Sequence, residues 1–156
     1  MTGDSAPTGS GKRSALLAIG VGGLVAGAVD LTNACILSGW NTPLVVAAGL
    51  LGRQAIRSGG VGTYVLGVLL HFLIAFSAAA VYYAASRKLG FLIEHPVVCG
   101  LFFGGGVEQV MNLIVLPLSA LHARGPFKLH NLIVGLVSHM VLIGLPISFS
   151  VRRFSR

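Results

Sequence analysis

Four long apolar stretches of this chain each carry one ionisable residue near the middle, and this pattern strongly limits the possible folds. These residues are Asp30, His71, Glu108 and His139. In a lipid-facing helix a charge costs about 2.5–3.5 kcal/mol, so four such residues at matching depth are not expected by chance. The pattern indicates a polar site inside a bundle of membrane helices.

The composition agrees with a membrane protein and argues against other classes. Of the 156 residues 54% are hydrophobic and only 10% are charged, whereas about a quarter of the residues in a soluble domain are charged. The net charge of +7 reflects the presence of only four acidic residues. The basic residues are scattered in ones and twos, so no nucleic-acid partner is expected and the lipid bilayer is the predicted partner.

The sequence therefore predicts an all-α polytopic membrane protein, with four transmembrane helices in a bundle plus one short interfacial or re-entrant helix. About 20 apolar residues cross a hydrocarbon core of ~30 Å, and the segment after Pro43 is too short to do so. The predicted spans cover residues 14–37, 61–86, 96–121 and 130–151, and the short helix covers residues 44–56. Residues 1–13 are expected to form a disordered tail, and residues 152–156 a basic C-terminal tail. Trp40, Tyr82 and Tyr83 are interpreted as anchors at the membrane interface.

The distribution of Lys and Arg predicts the orientation of the spans. The side that holds both termini carries Lys12, Arg13, Arg87, Lys88, Arg152, Arg153 and Arg156, and the opposite side carries Arg53, Arg57, Arg124 and Lys128. Because positive residues concentrate in the cytoplasm, both termini are predicted to be cytoplasmic.

Small residues precede the ionisable residues at helical spacing. The glycines predicted to pack against neighbouring helices are Gly23, Gly27, Gly67, Gly104 and Gly135. Small residues let helix backbones approach closely, so these faces are expected to point into the bundle together with the ionisable side chains. Two asparagines follow the acids on the same helices. The predicted polar site thus consists of Asp30, Asn33, His71, Glu108, Asn112 and His139.

The order of these residues also suggests an internal duplication. An acid-bearing helix is followed by a histidine-bearing helix in each half of the chain, with Gly67-x-x-x-His71 matching Gly135-x-x-x-His139. Parallel repeats occur in transporters, but matches this short also arise by chance in glycine-rich helices. The sequence leaves both explanations open.

Two carboxyls and two imidazoles permit several functions. They can relay protons or pass ions or a small polar solute. His71, His139, Glu108 and Asp30 can instead bind a divalent transition metal, and the two histidines can ligate a haem, although no helix carries a paired ligand motif and haem is the weaker interpretation. A fourth interpretation is a structural membrane subunit whose polar interhelical pairs hold the bundle together. No serine or cysteine can be paired with a base, so the sequence does not favour an enzyme.

The motifs also resemble a known family. Gly23-x-x-x-Gly27-x-x-Asp30, Gly49-x-x-Gly52 after Pro43, Gly67-x-x-x-His71, and Gly104 with Glu108 are similar to the YagU-like family of uncharacterised bacterial inner-membrane proteins, over most of residues 15–150. The resemblance implies a small multi-pass protein of a bacterial inner membrane and no defined activity.

The preferred hypothesis is a membrane protein that passes protons, ions or a small polar solute through the four ionisable residues. Glu108 would exchange protons with one or both histidines, and Asp30 would form the outer opening. Because four short helices bury little surface around a polar centre, a homo-oligomer or a membrane partner subunit is also expected.

Overall fold

The protein is a bundle of helices, as the sequence predicts. The computed structural model describes residues 8–123 and 128–155, and within these ranges it contains helices and turns but no strand. Four helical segments are long and apolar enough to cross a membrane, namely Gly11–Ser38, Val61–Ser86, Pro96–Leu118 and Leu129–Phe154. The predicted all-α polytopic fold is confirmed.

Nine α-helices and two π-helical segments make up the described part of the chain. The α-helices are α1 (Thr8–Ser38), α2 (Thr42–Leu51), α3 (Gln54–Ser58), α4 (Val61–Ser86), α5 (Phe91–Glu94), α6 (Pro96–Val110), α7 (Leu116–Leu118), α8 (Leu129–Ser138) and α9 (Leu145–Phe154). The π-helical segments are Met111–Val115 and His139–Gly144. The first π-segment joins α6 to α7 in the third span, and the second joins α8 to α9 in the fourth.

The first and last helices extend into both predicted tails. Helix α1 begins at Thr8 rather than near residue 14, because a helix already formed by an apolar segment extends at a cost of less than about 1 kcal/mol for each glycine or serine. Residues 1–7 of the predicted tail lie outside the described residues. At the other end, Arg152 and Arg153 lie in the last turn of α9, where a positive charge is attracted to the negative end of the helix dipole. Arg156 and Arg124 also lie outside the described residues.

The predicted short helix over residues 44–56 is in fact two helices. Gly52 has a φ of 81°, a left-handed conformation that ends α2, and α3 starts two residues later. Helix α2 packs along α4. At this contact the carbonyl of Pro43 occupies the space that a side chain on Gly67 would need. The ten residues of α2 extend only about 15 Å, so this helix forms a wall of the bundle interior without crossing it.

The spans pack in the spatial order α4, α1, fourth span, third span. Helix α1 contacts α4 on one side and the fourth span on the other, and the third span packs mainly on the fourth. Helix α4 and the third span make few direct contacts. The bundle is therefore an incomplete ring, with a gap between its first and last members beside the point where Tyr82 of α4 contacts Phe103 of the third span.

Each π-helical segment ends shortly before a proline. Pro117 follows the segment Met111–Val115, and Pro146 follows the segment His139–Gly144. Proline has no amide hydrogen, so the carbonyl four residues earlier loses its helical partner. A wider π turn is one way for the helix to accommodate this loss, and such turns are frequent at functional sites.

The closely packed core lies on the side of the bundle that holds the termini. Its fully buried members include Ala18, Tyr82, Ile147 and Val151. Tyr82 was predicted as an interface anchor, but it is only 1% exposed. Its ring packs edge-on against Phe103, and its hydroxyl donates a hydrogen bond to the Leu92 carbonyl at 3.0 Å. The local pattern placed this aromatic ring near a span end, whereas helix packing turned it into the core.

Candidate functional site

Two histidine–carboxylate pairs lie inside the bundle. His71 Nε2 is 3.8 Å from Asp30 Oδ2, and His139 Nδ1 is 3.0 Å from Glu108 Oε2. All four side chains are largely buried, with 9% of Asp30, 10% of Glu108, 15% of His71 and 22% of His139 exposed. Each pair joins two spans that are consecutive in sequence, which is the arrangement that the possible duplication would produce.

Backbone carbonyls fix one nitrogen of each histidine. His71 Nε2 donates to the carbonyl of Gly27 at 3.0 Å, and His139 Nδ1 donates to the carbonyl of Gly135 at 3.0 Å. Because a carbonyl oxygen can only accept, the proton of each neutral ring must lie on that nitrogen. The other nitrogen, Nδ1 of His71 and Nε2 of His139, then has a lone pair that can accept a proton.

Glu108 is held by its surroundings. Its Oε1 accepts a hydrogen bond from the Asn112 amide at 2.9 Å, one turn further along the third span. Its carboxylate also occupies the space next to Gly135, where a side chain would meet it. With His139 beside Oε2, both oxygens of Glu108 have a polar neighbour. This carboxylate is positioned to orient His139.

Asp30 is bound much less tightly than Glu108. Its carboxylate accepts no hydrogen bond from a described residue, and His71, whose Nε2 lies 3.8 Å away, donates to the Gly27 carbonyl instead. A largely buried carboxylate without hydrogen bonds is costly unless a proton or a cation compensates its charge. Asp30 therefore differs from Glu108 in having unused acceptor capacity.

The remaining predicted polar residue links the two halves of the bundle. Asn33 donates a hydrogen bond to the Ser138 hydroxyl at 3.2 Å, which joins α1 to α8. Ser138 immediately precedes His139, so this bond connects the helix that carries Asp30 to the helix that carries the second histidine. Ser138 was not singled out from the sequence, because a lone serine in an apolar helix gives no signal of its partner.

Each glycine predicted to support packing lies against a neighbouring element. Gly23 faces Phe76, and Gly27 faces Phe72 and Ala75 on α4. Gly67 faces Pro43 of α2, Gly104 faces the backbone of His139 and Met140, and Gly135 faces Glu108. The structure thus uses these glycines both to bring helices together and to leave room for a buried carboxylate.

Two adjoining cavities meet at the polar site. The central cavity, of about 250 Å³, is enclosed by α1, α2, α4 and the third and fourth spans, and Asp30, His71 and His139 form part of its wall. The side cavity, of about 430 Å³, lies between α1 and the fourth span and extends to Ser38 and His130. Asp30 and His139 line both cavities. The polar site is therefore reached from the helix ends opposite the termini.

The geometry can be tested against the two cofactor hypotheses. Within residues 8–123 and 128–155, no three His, Cys, Asp or Glu side chains come together in a group that could hold a metal ion. The four residues considered as metal ligands form two separate pairs instead. A haem would have to lie between His71 and His139, which both line the central cavity of about 250 Å³.

Comparisons with known proteins identify no relative. No protein-family model matches the chain, and no curated protein or solved structure gives a significant match. The function must therefore be inferred from the site itself.

Proposed function

We propose that this protein passes protons or a small polar solute across the inner membrane of a bacterium, using its two histidine–carboxylate pairs. The observation that carries the proposal is the placement of Asp30, His71 and His139 around one central cavity that adjoins a second cavity leading to one face of the bundle. Buried ionisable groups that line an accessible cavity inside a membrane bundle are typical of transport pathways.

In the proposed mechanism the two pairs have different tasks. Asp30 lies where the two cavities meet and receives the proton or solute that arrives through the side cavity. His139 has a free Nε2 that can accept a proton, and Glu108 stabilises the charged ring that results. His71 is placed to exchange a proton with Asp30 after a small movement that closes their 3.8 Å separation.

Passage to the other face requires a movement of the helices. The core around Tyr82, Ile147 and Val151 closes the bundle between the polar site and the termini. The gap between α4 and the third span leaves these elements free to approach each other, and the π-helical segments, one of which begins at His139, provide points where the helices can deform. We propose that such a movement alternately exposes the site to the two sides.

The orientation and the assembly are part of the same proposal. The excess of Lys and Arg on the side of the termini supports a cytoplasmic location for both ends. Self-association is supported by the incomplete ring of spans, because a second copy or a membrane partner subunit can pack against the open side. Single cysteines introduced at Ser155 or at the exposed Trp40, in a variant whose Cys35 and Cys99 are replaced by serine, test the orientation when they are labelled with a membrane-impermeant thiol reagent. Only the cysteine at position 40 should react from outside the cell.

Proton flux into liposomes tests the function. We expect vesicles that contain the protein to take up protons when a potassium-diffusion potential is imposed, and Glu108→Gln to abolish this uptake. The matched control is Glu94→Gln, because Glu94 is exposed on α5 and lies outside the site. Uptake by Glu108→Gln at the rate of the wild type would refute the relay.

The same preparations test the alternatives. A purely structural role predicts that vesicles with the wild-type protein show no proton flux. It also predicts that His71→Ala and His139→Ala lower the thermal stability of the protein. A metal site predicts stoichiometric metal in protein purified without chelator, and loss of that metal in both variants. Either result would replace the transport proposal.

A further inference from the structure

We propose that the transported solute is a small organic cation, a protonated amine with an apolar body, and that Asp30 is the carboxylate that binds it. This inference rests on the proposed transport function and adds the chemical class of the solute. Four features of the site carry it: the unused carboxylate, the apolar wall of the central cavity, the gap in the ring of spans, and the competition between a proton and a cation at one group.

The first feature is the state of Asp30. Its side chain is only 9% exposed and accepts no hydrogen bond from any described residue, yet it lines both cavities. The carboxylate of Asp30 therefore borders two cavities and keeps acceptor capacity that no described residue uses. An ammonium group supplies both the positive charge and the hydrogen-bond donors that this carboxylate lacks.

The second feature is the composition of the central cavity. Apart from Asp30, the two histidines and the hydroxyls of Thr42 and Ser119, its wall consists of apolar side chains and glycine. A wall of this kind matches a solute with an apolar body, and the single carboxylate can bind one charged end of that solute. The volume of about 250 Å³ corresponds to about eight water molecules, which indicates a solute with a similar number of non-hydrogen atoms.

The third feature is a route from the bilayer. The gap between α4 and the third span forms a groove on the lipid-facing surface. Five residues of this groove also line the central cavity, namely Ile74, Ala78, Val107, Met111 and Val115. An amine with an apolar body partitions into the bilayer, and a movement of these five shared side chains would let it pass sideways from the groove to Asp30, whereas a strongly hydrated ion would arrive through the polar side cavity.

The fourth feature couples the solute to protons. One carboxylate can hold either a proton or an ammonium group, so arrival of the amine displaces the proton and arrival of a proton displaces the amine. The titratable groups that line these two cavities with Asp30 are His71 from α4 and both His139 and His130 from the fourth span, while α2 and the third span contribute none to the central cavity. Protonation of these histidines also repels the amine. Binding must therefore weaken as the pH falls.

Calorimetric titration of the detergent-solubilised protein tests this inference without any flux. The probes are cyclohexylamine, which is protonated at neutral pH, and the similarly shaped cyclohexanol and cyclohexanecarboxylate. We expect only the amine to bind, with affinity that falls at lower pH. Asp30→Asn should weaken binding at least tenfold, whereas Asp30→Glu should retain most of it and Glu94→Gln all of it.

The outcomes separate this inference from the transport proposal. Proton flux without amine binding, or equal binding of the amine and the alcohol, overturns the amine as solute and leaves proton passage standing. Amine binding that depends on Asp30 without flux in liposomes supports the site and refutes transport. A lipid that copurifies equally with wild type and Asp30→Asn and blocks the amine would show that the cavity holds an acyl chain, which overturns the inference. Should Asp30→Asn fail to fold, loss of affinity at low pH in the wild type remains the test.

Discussion

Replacing Gly104 by alanine should destabilise the bundle where the third and fourth spans cross. A Cβ atom at this position would lie 2.7 Å from the Cα of Met140 and 2.8 Å from the carbonyl carbon of His139. Ordinary van der Waals contact begins at 3.4 Å, so the Met140 backbone would have to retreat by about 0.7 Å, the difference between 3.4 and 2.7 Å. The carbonyl oxygen of His139 lies closer still. All three contacts are with backbone atoms, which cannot rotate away as a flexible side chain can.

The size of the effect follows from this contact. Overpacking a well-packed interior costs about 1–3 kcal/mol, and a clash with backbone belongs at the upper end. For a protein of this size 1 kcal/mol corresponds to about 2–4 °C in the unfolding temperature. We therefore expect Gly104→Ala to lower the Tm by about 6–12 °C. Because the displaced backbone is that of His139, proton uptake should fall as well.

The same helix provides a matched control for this prediction. Gly106 is exposed, and a Cβ there would meet no atom within 4 Å. Since alanine favours the helix over glycine by about 1 kcal/mol, Gly106→Ala should leave the Tm unchanged or raise it slightly. Thermal unfolding of both variants in one detergent, followed by size-exclusion chromatography, makes the comparison. Equal Tm values for the two variants would refute the close packing at Gly104.

Two further substitutions test other contacts of the site and core. Gly135→Ala pushes a methyl group against the Glu108 carboxylate, so proton uptake should fall by more than half. The control is Gly20→Ala, whose methyl group meets no atom within 4 Å and which should keep its activity. Equal uptake by the two variants would show that the position of this carboxylate is unimportant. Ser150→Ala removes the hydrogen bond from the Ser150 hydroxyl to the Ala18 carbonyl at 2.9 Å, worth about 0.6 kcal/mol in a membrane bundle. The Tm of Ser150→Ala should fall by about 1–2 °C relative to that of Ser77→Ala. Ser77 is the control because its exposed hydroxyl donates a hydrogen bond within its own helix. Equal Tm values would mean that the hydrogen bond between α1 and α9 contributes nothing to stability.

Much of the architecture follows from local sequence. The length and hydropathy of each span depend only on the residues within it, and the four helical segments of the structure overlap the predicted ones closely. The ends were less accurate, because tail residues such as Lys12 and Arg152 continue helices that apolar neighbours have already formed. Likewise Gly52 divides the predicted short helix, although other glycines such as Gly67 and Gly104 lie within helices.

Some features of the site required the tertiary structure. Sequence alone offered either histidine as a partner for either acid, and the actual pairs depend on the rotation of each helix about its axis and on the order of the spans around the bundle. The sequence also did not predict the π-helical segments, although it contains Pro117 and Pro146, which follow them. A proline removes one hydrogen bond in any helix, but packing decides whether the helix kinks, ends or widens.

The sequence by itself determined that this protein is a four-span helical bundle with two carboxyls, two histidines and small-residue faces, because hydropathy and helical spacing are properties of neighbouring residues. Only the tertiary structure decided that Glu108 is held by Asn112 and His139 while Asp30 accepts no hydrogen bond and lines two cavities. This difference arises between helices that are distant in sequence. Two acids that look equivalent along the chain thereby acquire different surroundings, and the proposed binding of a cation depends on that difference.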